Sequence, residues 1–580
     1  MPITVYGDGL TLNGPGMEAF EHTVMVLQNS TTGSPGVIFG DDLTIKTQSK
    51  DSAKNGEDVD GIRTHGANTP NNPVFVIVGD RARITVDGYS GDGINAGYNS
   101  LGQGWIGSAN IYVGNDLYIK TTGSQGRGIT ANAMRDVSLA KNQIVVGDRA
   151  HIVTTGSSAE GIRTGQSGSS VLLGDSALIE TSGDSSNALY AASSSKINLG
   201  NDAKITTIGS SASAVYSASS SIVSLGDNAT LSVDGASSHG VYAYTATANI
   251  GNNANITVKS TTKASGYATK SPSGLYAISR GKINLAGGVA ITMAGTNSDQ
   301  VYAMNAETGG VIDASTGGRF TIDGDILSNG AVAASSTLPA QISTITLNML
   351  DGSVWDGASY IQTVTAGTGV IDLAMTNATW NMTDSSTVTN LTLNDGSTVN
   401  FQHAADTWQT LTVNNDFVGN GGTVRFNTVL FDDTSETDLM HVLGNTSGNA
   451  KVAVENIGGT GSQTIEGIKI IQVDGTSDGV FAKAGRIVAG AYDYDVVKKG
   501  NDWFLTSELT PEEPVDPVDP PVDPVDPVDP PVDPVDLVDP PEEIGHLNDV
   551  RYFSVKNKYR SSREREAGFV VQGRCPVVHY

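Results

Sequence analysis

Through the middle of the chain, apolar and polar positions alternate in short runs, and the alternation breaks at a Gly-Asp or Gly-Asn pair. In INLGNDAKITTIG (197–209) the alternation resumes on the far side of the pair, which predicts two half-buried strands about a turn. The unit recurs as FGDDLTI, VGDRARI, VGNDLYI, VGDRAHI, LGDSALI, LGNDAKI, LGDNATL and IGNNANI. Their glycines stand at 40, 79, 114, 147, 174, 200, 226 and 251. The later spacings are 25 to 27 residues; the earlier ones, 33 to 39, read as the same unit with inserted loops. No long stretch carries the 3.6-residue period of an amphipathic helix. A fixed period of this length made of short strands predicts an all-β chain, a right-handed parallel β-helix whose rungs cover one another's open edges. In the turn, Gly and Asn are expected to supply positive φ, and Asp to accept local backbone hydrogen bonds.

A second element recurs between the turns: Gly61-Ile-Arg-Thr, Gly93-Ile-Asn-Ala, Gly128-Ile-Thr-Ala, Gly161-Ile-Arg-Thr, Ala188-Leu-Tyr-Ala, Ala214-Val-Tyr-Ser, Gly240-Val-Tyr-Ala, Gly274-Leu-Tyr-Ala and Gln300-Val-Tyr-Ala. Ile, Leu or Val here points into the core, so the next residue faces the other way. Arg63, Asn95, Thr130 and Arg163 at that place mark a wet face. Tyr190, Tyr216, Tyr242, Tyr276 and Tyr302 are then expected to form an exposed ladder, one ring per ~4.8 Å rung. Such a ladder is either a binding track for sugars or a partner surface, or a structural stripe of strand-favouring residues.

From about residue 340 the strands become more apolar. The body ends in VAGAYDYDVVKKGNDWFLTS (488–507), where Tyr492, Tyr494, Trp503, Phe504 and Leu505 gather about a turn at 498–501 and predict the cap a solenoid needs on its last edge. These patterns divide the chain into β-helix repeats (1–339), a C-terminal β-helix with its cap (340–507), a spacer (508–543) and a tail (544–580). Twelve prolines, eight Asp and four Glu occupy residues 511–543, a disordered, extended acidic spacer. The tail is basic, matches no repeat and holds Cys575, the single cysteine, so no disulfide forms within the chain. The net charge of −27 argues against a nucleic-acid partner.

WNMTDSSTVTNLTLNDGSTVNF, TLTVNNDFVGNGGTVRFNTVL and the VAGAYDYDVVKKGNDWFLTS ending, followed by the Pro-rich acidic spacer, resemble the C-terminal passenger region of pertactin-like bacterial autotransporters. The resemblance implies an autochaperone region at roughly 375–507 and a passenger delivered to the cell surface, or released, by an outer-membrane barrel. It also implies adhesion to host cells or to other bacteria, and biofilm formation. Partners would be surface glycans or proteins; a monomer with no cofactor is expected. The sequence departs from the family pattern at both ends, with neither a signal sequence nor a barrel. The chain is therefore expected to be a truncated passenger, its tail from Ile544 a product of a shifted reading frame or a foreign junction, with a small genuine tail that docks on a partner as the alternative.

No catalytic constellation stands out. Ser176 in LGDSALI sits at a repeat turn, and the eight histidines form no metal-binding pattern. Asp41/Asp42, Asp92, Asp432/Asp433 and Asp493/Asp495 are the acids that a polysaccharide-cleaving enzyme on this scaffold would use. That enzyme is the alternative reading, and a tailspike-like receptor-binding protein the third.

Overall fold

The computed structural model describes residues 3–17, 21–27, 35–50, 59–65, 73–97, 108–132, 141–262, 271–294, 301–404 and 407–507. The expectations for the spacer at 508–543 and the tail at 544–580 lie outside them. The described residues contain strands and no helix, and they form a parallel β-solenoid of about 14 turns. A typical turn has three strands, such as Lys196–Leu199, Lys204–Thr207 and Val215–Ala218. The first two flank the Gly-Asx pair and stack, rung on rung, into a 31-stranded sheet; the third stacks into a 13-stranded sheet. Parallel pairing runs through residue 340, where Val311–Gly318 pairs with Thr344–Met349.

The alternation places Ile197, Leu199, Ala203 and Ile205 inside, each at most 5% exposed. Ile205 lies between Ile179 and Leu231 of the neighbouring rungs. Each inward aliphatic side chain stabilises the stack by about 1.5–3 kcal/mol.

The Gly-Asx turn works between rungs rather than within one. The side-chain oxygen of each Asp or Asn accepts the backbone N–H of its counterpart in the next rung: Asp148 from Asp175 at 2.8 Å, Asp175 from Asn201 at 2.7 Å, Asn201 from Asp227 at 2.9 Å. The same bond runs from Asp8 to Asn252 through all nine rungs of the series. The expected role of glycine is corrected here. The left-handed residue is the second one after it, Ser176 (φ 60°), Asp202 (φ 58°) or Asn228 (φ 61°). Glycine is required because a Cβ at Gly174 would lie 2.2 Å from the Asp148 carboxylate below.

The C-terminal turns carry larger core groups. Trp355 and Trp380 stack at 4.3 Å and 2°, each indole N–H donating to a backbone carbonyl, Gly324 and Gly357 respectively. The parallel series in this last sheet ends at Ile468–Val473. The strand Asp502–Thr506 pairs antiparallel to it, and Tyr492–Lys499 pairs antiparallel to that.

Candidate functional site

The strand register settles which residues share the outward column of the third strand. Arg63, Asn95, Thr130, Arg163, Tyr190, Tyr216, Tyr242 and Tyr276 follow one another rung by rung. Tyr302 does not continue them. It pairs with Ser273, and Asn305 takes the place beside Tyr276. The Gln300-Val-Tyr-Ala segment therefore mimics the motif three residues out of register, and the ladder has four tyrosines.

Nor is the column wet. Arg63, Asn95 and Thr130 are at most 4% exposed, Tyr242 and Tyr276 2% and 3%; Tyr190 and Tyr216 are half-buried. The cover comes from the preceding corner, three residues upstream in each rung. Asp60 accepts from the Arg63 guanidinium at 3.0 Å, Asp92 from the Asn95 amide at 3.0 Å, and Glu160 from Arg163 at 2.6 Å. In the tyrosine rungs these corner places hold Asn187, Ser213 and His239. The His239 ring packs against Tyr242 at 5.1 Å and Tyr276 at 4.9 Å.

The rings also cover one another. Tyr190 and Tyr216 stack at 5.1 Å and 3°, Tyr242 and Tyr276 at 5.2 Å and 19°, with Tyr216 edge-on to Tyr242 at 4.8 Å. Arg163 lies over the Tyr190 face, 4.7 Å from its centroid, and the Tyr276 hydroxyl donates to Glu307 at 3.0 Å. Stacked rings present edges, so the ladder is not a flat track of open faces. Burial pushes the Tyr216 phenol up to about 12. It raises Tyr242 and Tyr276 further, Tyr276 also through the Glu307 carboxylate, and Tyr302 reaches about 12. All four hydroxyls stay neutral at physiological pH.

A cleft of about 280 Å³ opens beside Tyr216 and Tyr242, lined by Ser185, Asn187, Ser211, Ser213, Ser237 and His239. Hydroxyls repeat along it at the rung spacing, next to two aromatic edges. It offers donors and acceptors in a row and no charged side chain, an arrangement suited to a neutral polyhydroxyl group. The sequence reading missed these corner residues. The signal was there, as serine at 185, 211 and 237 keeps the 26-residue period.

The acids considered for catalysis each hold a bond of the fold. Asp41 and Asp42 accept from Arg81, and Asp92 accepts the Arg127 backbone N–H at 3.0 Å. Asp432 accepts the Thr434 hydroxyl. Asp433 gathers the N–H groups of Ile465, Glu466 and Gly467, which hold its carboxyl below the usual range. Asp493 is paired with Arg486, and Asp495 with Lys483. Of the cap residues, Tyr494 and Leu505 are fully buried and Trp503 nearly so; Trp503 packs edge-on against Phe481 at 5.3 Å. Tyr492 is half-buried against the core. Phe504 points out, its ring flanked by Lys469 and Lys499.

The family model for Autochaperone Domain Type 1 matches residues 386–496, the segment of these last rungs and the start of the cap hairpin. The chain is 50% identical over 121 residues to an uncharacterised Escherichia coli K12 protein, YdeU, covering 19% of this chain and 26% of that one. It is 32% identical over 272 residues to the adhesin BmaC autotransporter of Brucella suis, covering 40% of this chain and 8% of BmaC. It is 45% identical over 107 residues to the autotransporter adhesin AIDA-I of Escherichia coli, covering 17% and 8%. The chain thus spans about a quarter or less of the length of these relatives.

Proposed function

Since the chain is an autotransporter passenger domain, we propose that it works as an adhesin whose contact site is the serine- and tyrosine-lined cleft. The adhesin-type role is supported by the relatives named for adhesion, and with it a place at the cell surface or outside the cell. The observation that carries the site is the pairing of aromatic edges with a row of hydroxyls at Ser185, Ser211 and Ser237. A sugar of a host or bacterial surface fits that chemistry. One cleft of this size gives weak affinity, and many copies on a surface sum it by multivalency.

The test is adhesion of beads coated with the full chain to epithelial cells and to bacteria. Ser185, Ser211 and Ser237 all have positive φ (57°, 55° and 51°), so replacing the three with glycine removes hydroxyls without straining the backbone. Adhesion should fall at least fivefold while the melting curve stays cooperative. Full adhesion by the triple variant would move the contact away from the cleft. No adhesion by the unaltered protein would sink the adhesin reading itself.

A further inference from the structure

Stacking explains why four tyrosines share one column. It does not explain what stands at the column's two ends. The rings of Tyr190, Tyr216, Tyr242 and Tyr276 follow one another at centroid separations of 5.1, 4.8 and 5.2 Å. Tyr190 and Tyr216 are half-buried and Tyr242 and Tyr276 are closed off, so the column leads from an accessible end to a sealed one. Three rung steps of ~4.8 Å separate the two ends by roughly 14 Å. At the accessible end Arg163 pairs with Glu160 and holds its guanidinium over the Tyr190 face at 4.7 Å. At the sealed end the Tyr276 hydroxyl donates to Glu307 Oε2 at 3.0 Å. The Asn305 amide donates to Glu307 Oε1 at 3.0 Å and fixes that carboxylate on the phenol. The series of rings stops there, because Asn305 occupies the next place.

Rings in such contact can pass an electron from one to the next, and two physical effects give this column a direction. A phenol that loses an electron becomes a strong acid, and a positive charge left in a buried site is costly. The electron therefore leaves readily where a base stands within hydrogen-bond reach of the phenolic proton. Glu307 stands there for Tyr276. The field acts in the same sense. A cation over Tyr190 raises the energy of a positive charge on that ring, and an anion beside Tyr276 lowers it.

We propose that the column is a one-electron relay that ends in a proton-coupled radical site at Tyr276. A one-electron oxidant, of the class of a peroxidase's high-valent haem, takes an electron at Tyr190 or Tyr216. The vacancy is refilled from Tyr242 and then from Tyr276. In the last step the Tyr276 O–H bond breaks and its proton passes to Glu307 Oε2. A neutral tyrosyl radical and a carboxylic acid remain, and the oxidant is reduced by one electron. An enediol reductant returns the electron, and the proton goes back to the Tyr276 oxygen. An oxidising equivalent that lands on the accessible end is thus held at a sealed site instead of cross-linking exposed side chains. The relay uses two rings that border the cleft and does not rest on sugar binding there.

The experiment is flash oxidation of the full 580-residue chain by photogenerated tris(bipyridine)ruthenium(III), followed by freeze-quench electron paramagnetic resonance. Radicals on exposed tyrosines disappear by coupling between molecules, so the persistent tyrosyl signal reads the sealed site. The unaltered chain should give such a signal, and Tyr276→Phe should cut it at least tenfold. Glu307→Gln keeps the ring and removes the base, and should cut it at least fivefold. Tyr242→Phe leaves Tyr276 and Glu307 in place but interrupts the path, and should lower the yield at least threefold. No persistent signal from the unaltered chain overturns the proposal, as does a signal that Tyr276→Phe leaves unchanged. A signal indifferent to Glu307→Gln overturns Glu307 as the proton acceptor. A yield indifferent to Tyr242→Phe overturns the relay, since Tyr276 would then be oxidised directly. Circular dichroism identical to the unaltered protein separates these results from misfolding.

Discussion

At the scale of single residues, the repeat is written in steric necessities that differ from position to position within one turn. Gly174 and Ser176 make the contrast. Gly174→Ala drives a methyl into the Asp148 side chain and backbone, 2.2 and 2.9 Å away, and should cost about 1–3 kcal/mol as an overpacked contact. Ser176→Gly should leave stability within about 1 kcal/mol, since relief of a left-handed serine is offset by the entropy of glycine. Urea midpoints of the two variants check this; equal losses would mean that φ, not close approach, governs both. Tyr494 makes the corresponding case in the cap. Its hydroxyl donates to the carbonyls of Phe431 at 2.7 Å and Ser462 at 3.1 Å. Tyr494→Phe keeps the ring and strands those acceptors, and should cost about 1–3 kcal/mol. A midpoint shift too small to measure would show that water replaces the hydroxyl.

At the scale of elements, the tyrosine column shows how far alternation can be read and where it stops. Alternation correctly gives the outward direction of Tyr190, Tyr216, Tyr242 and Tyr276, because neighbours in one strand must point to opposite faces. It carries no information on what lies over that face, so the cover by Asn187, Ser213 and His239 was not legible, and outward was equated with wet. Register is equally invisible where a motif recurs by chance near a loop of variable length. Tyr302 satisfied the pattern while Asn305 held the place. Buried phenols also predict an alkaline response. A tyrosine raised to about 12 in the folded chain ionises near 10 when unfolded. Its contribution to stability is complete below pH 10 and is lost as pH rises from 10 towards 12. Unfolding midpoints measured from pH 8 to 12 should fall over that upper window, and Tyr216→Phe should flatten the fall. A midpoint that holds constant to pH 12 would show the ladder open to solvent.

At the scale of the whole solenoid, stability is local because each rung touches only the rungs beside it. Such a stack has a weak point wherever an edge is left uncovered. At the C-terminal end of the described body, the chain turns back on itself. Asp502–Thr506 covers the edge of Ile468–Val473 by antiparallel pairing, and Trp503 and Leu505 fill the core beneath it. The reversal matters as much as the apolar content. A further parallel strand would present another edge of the same kind, whereas the antiparallel turn-back runs from Asp502–Thr506 through Tyr492–Lys499 to Ile487–Ala489, an edge strand of three residues. Removing residues 492–507 should therefore act by distance rather than uniformly. Amide protons of Ile468–Val473 and Leu439–Val442, one and two strands beneath the lost pair, should exchange at least a hundredfold faster. Those of Val215–Ala218 and Thr230–Val233 should keep their protection, since nothing they touch has changed. Hydrogen exchange read by mass spectrometry on the shortened chain decides it. Loss of protection along the entire solenoid would mean that the hairpin governs folding of the whole stack, and unchanged protection near Ile468 would mean that the rung beneath is sufficient as its own end.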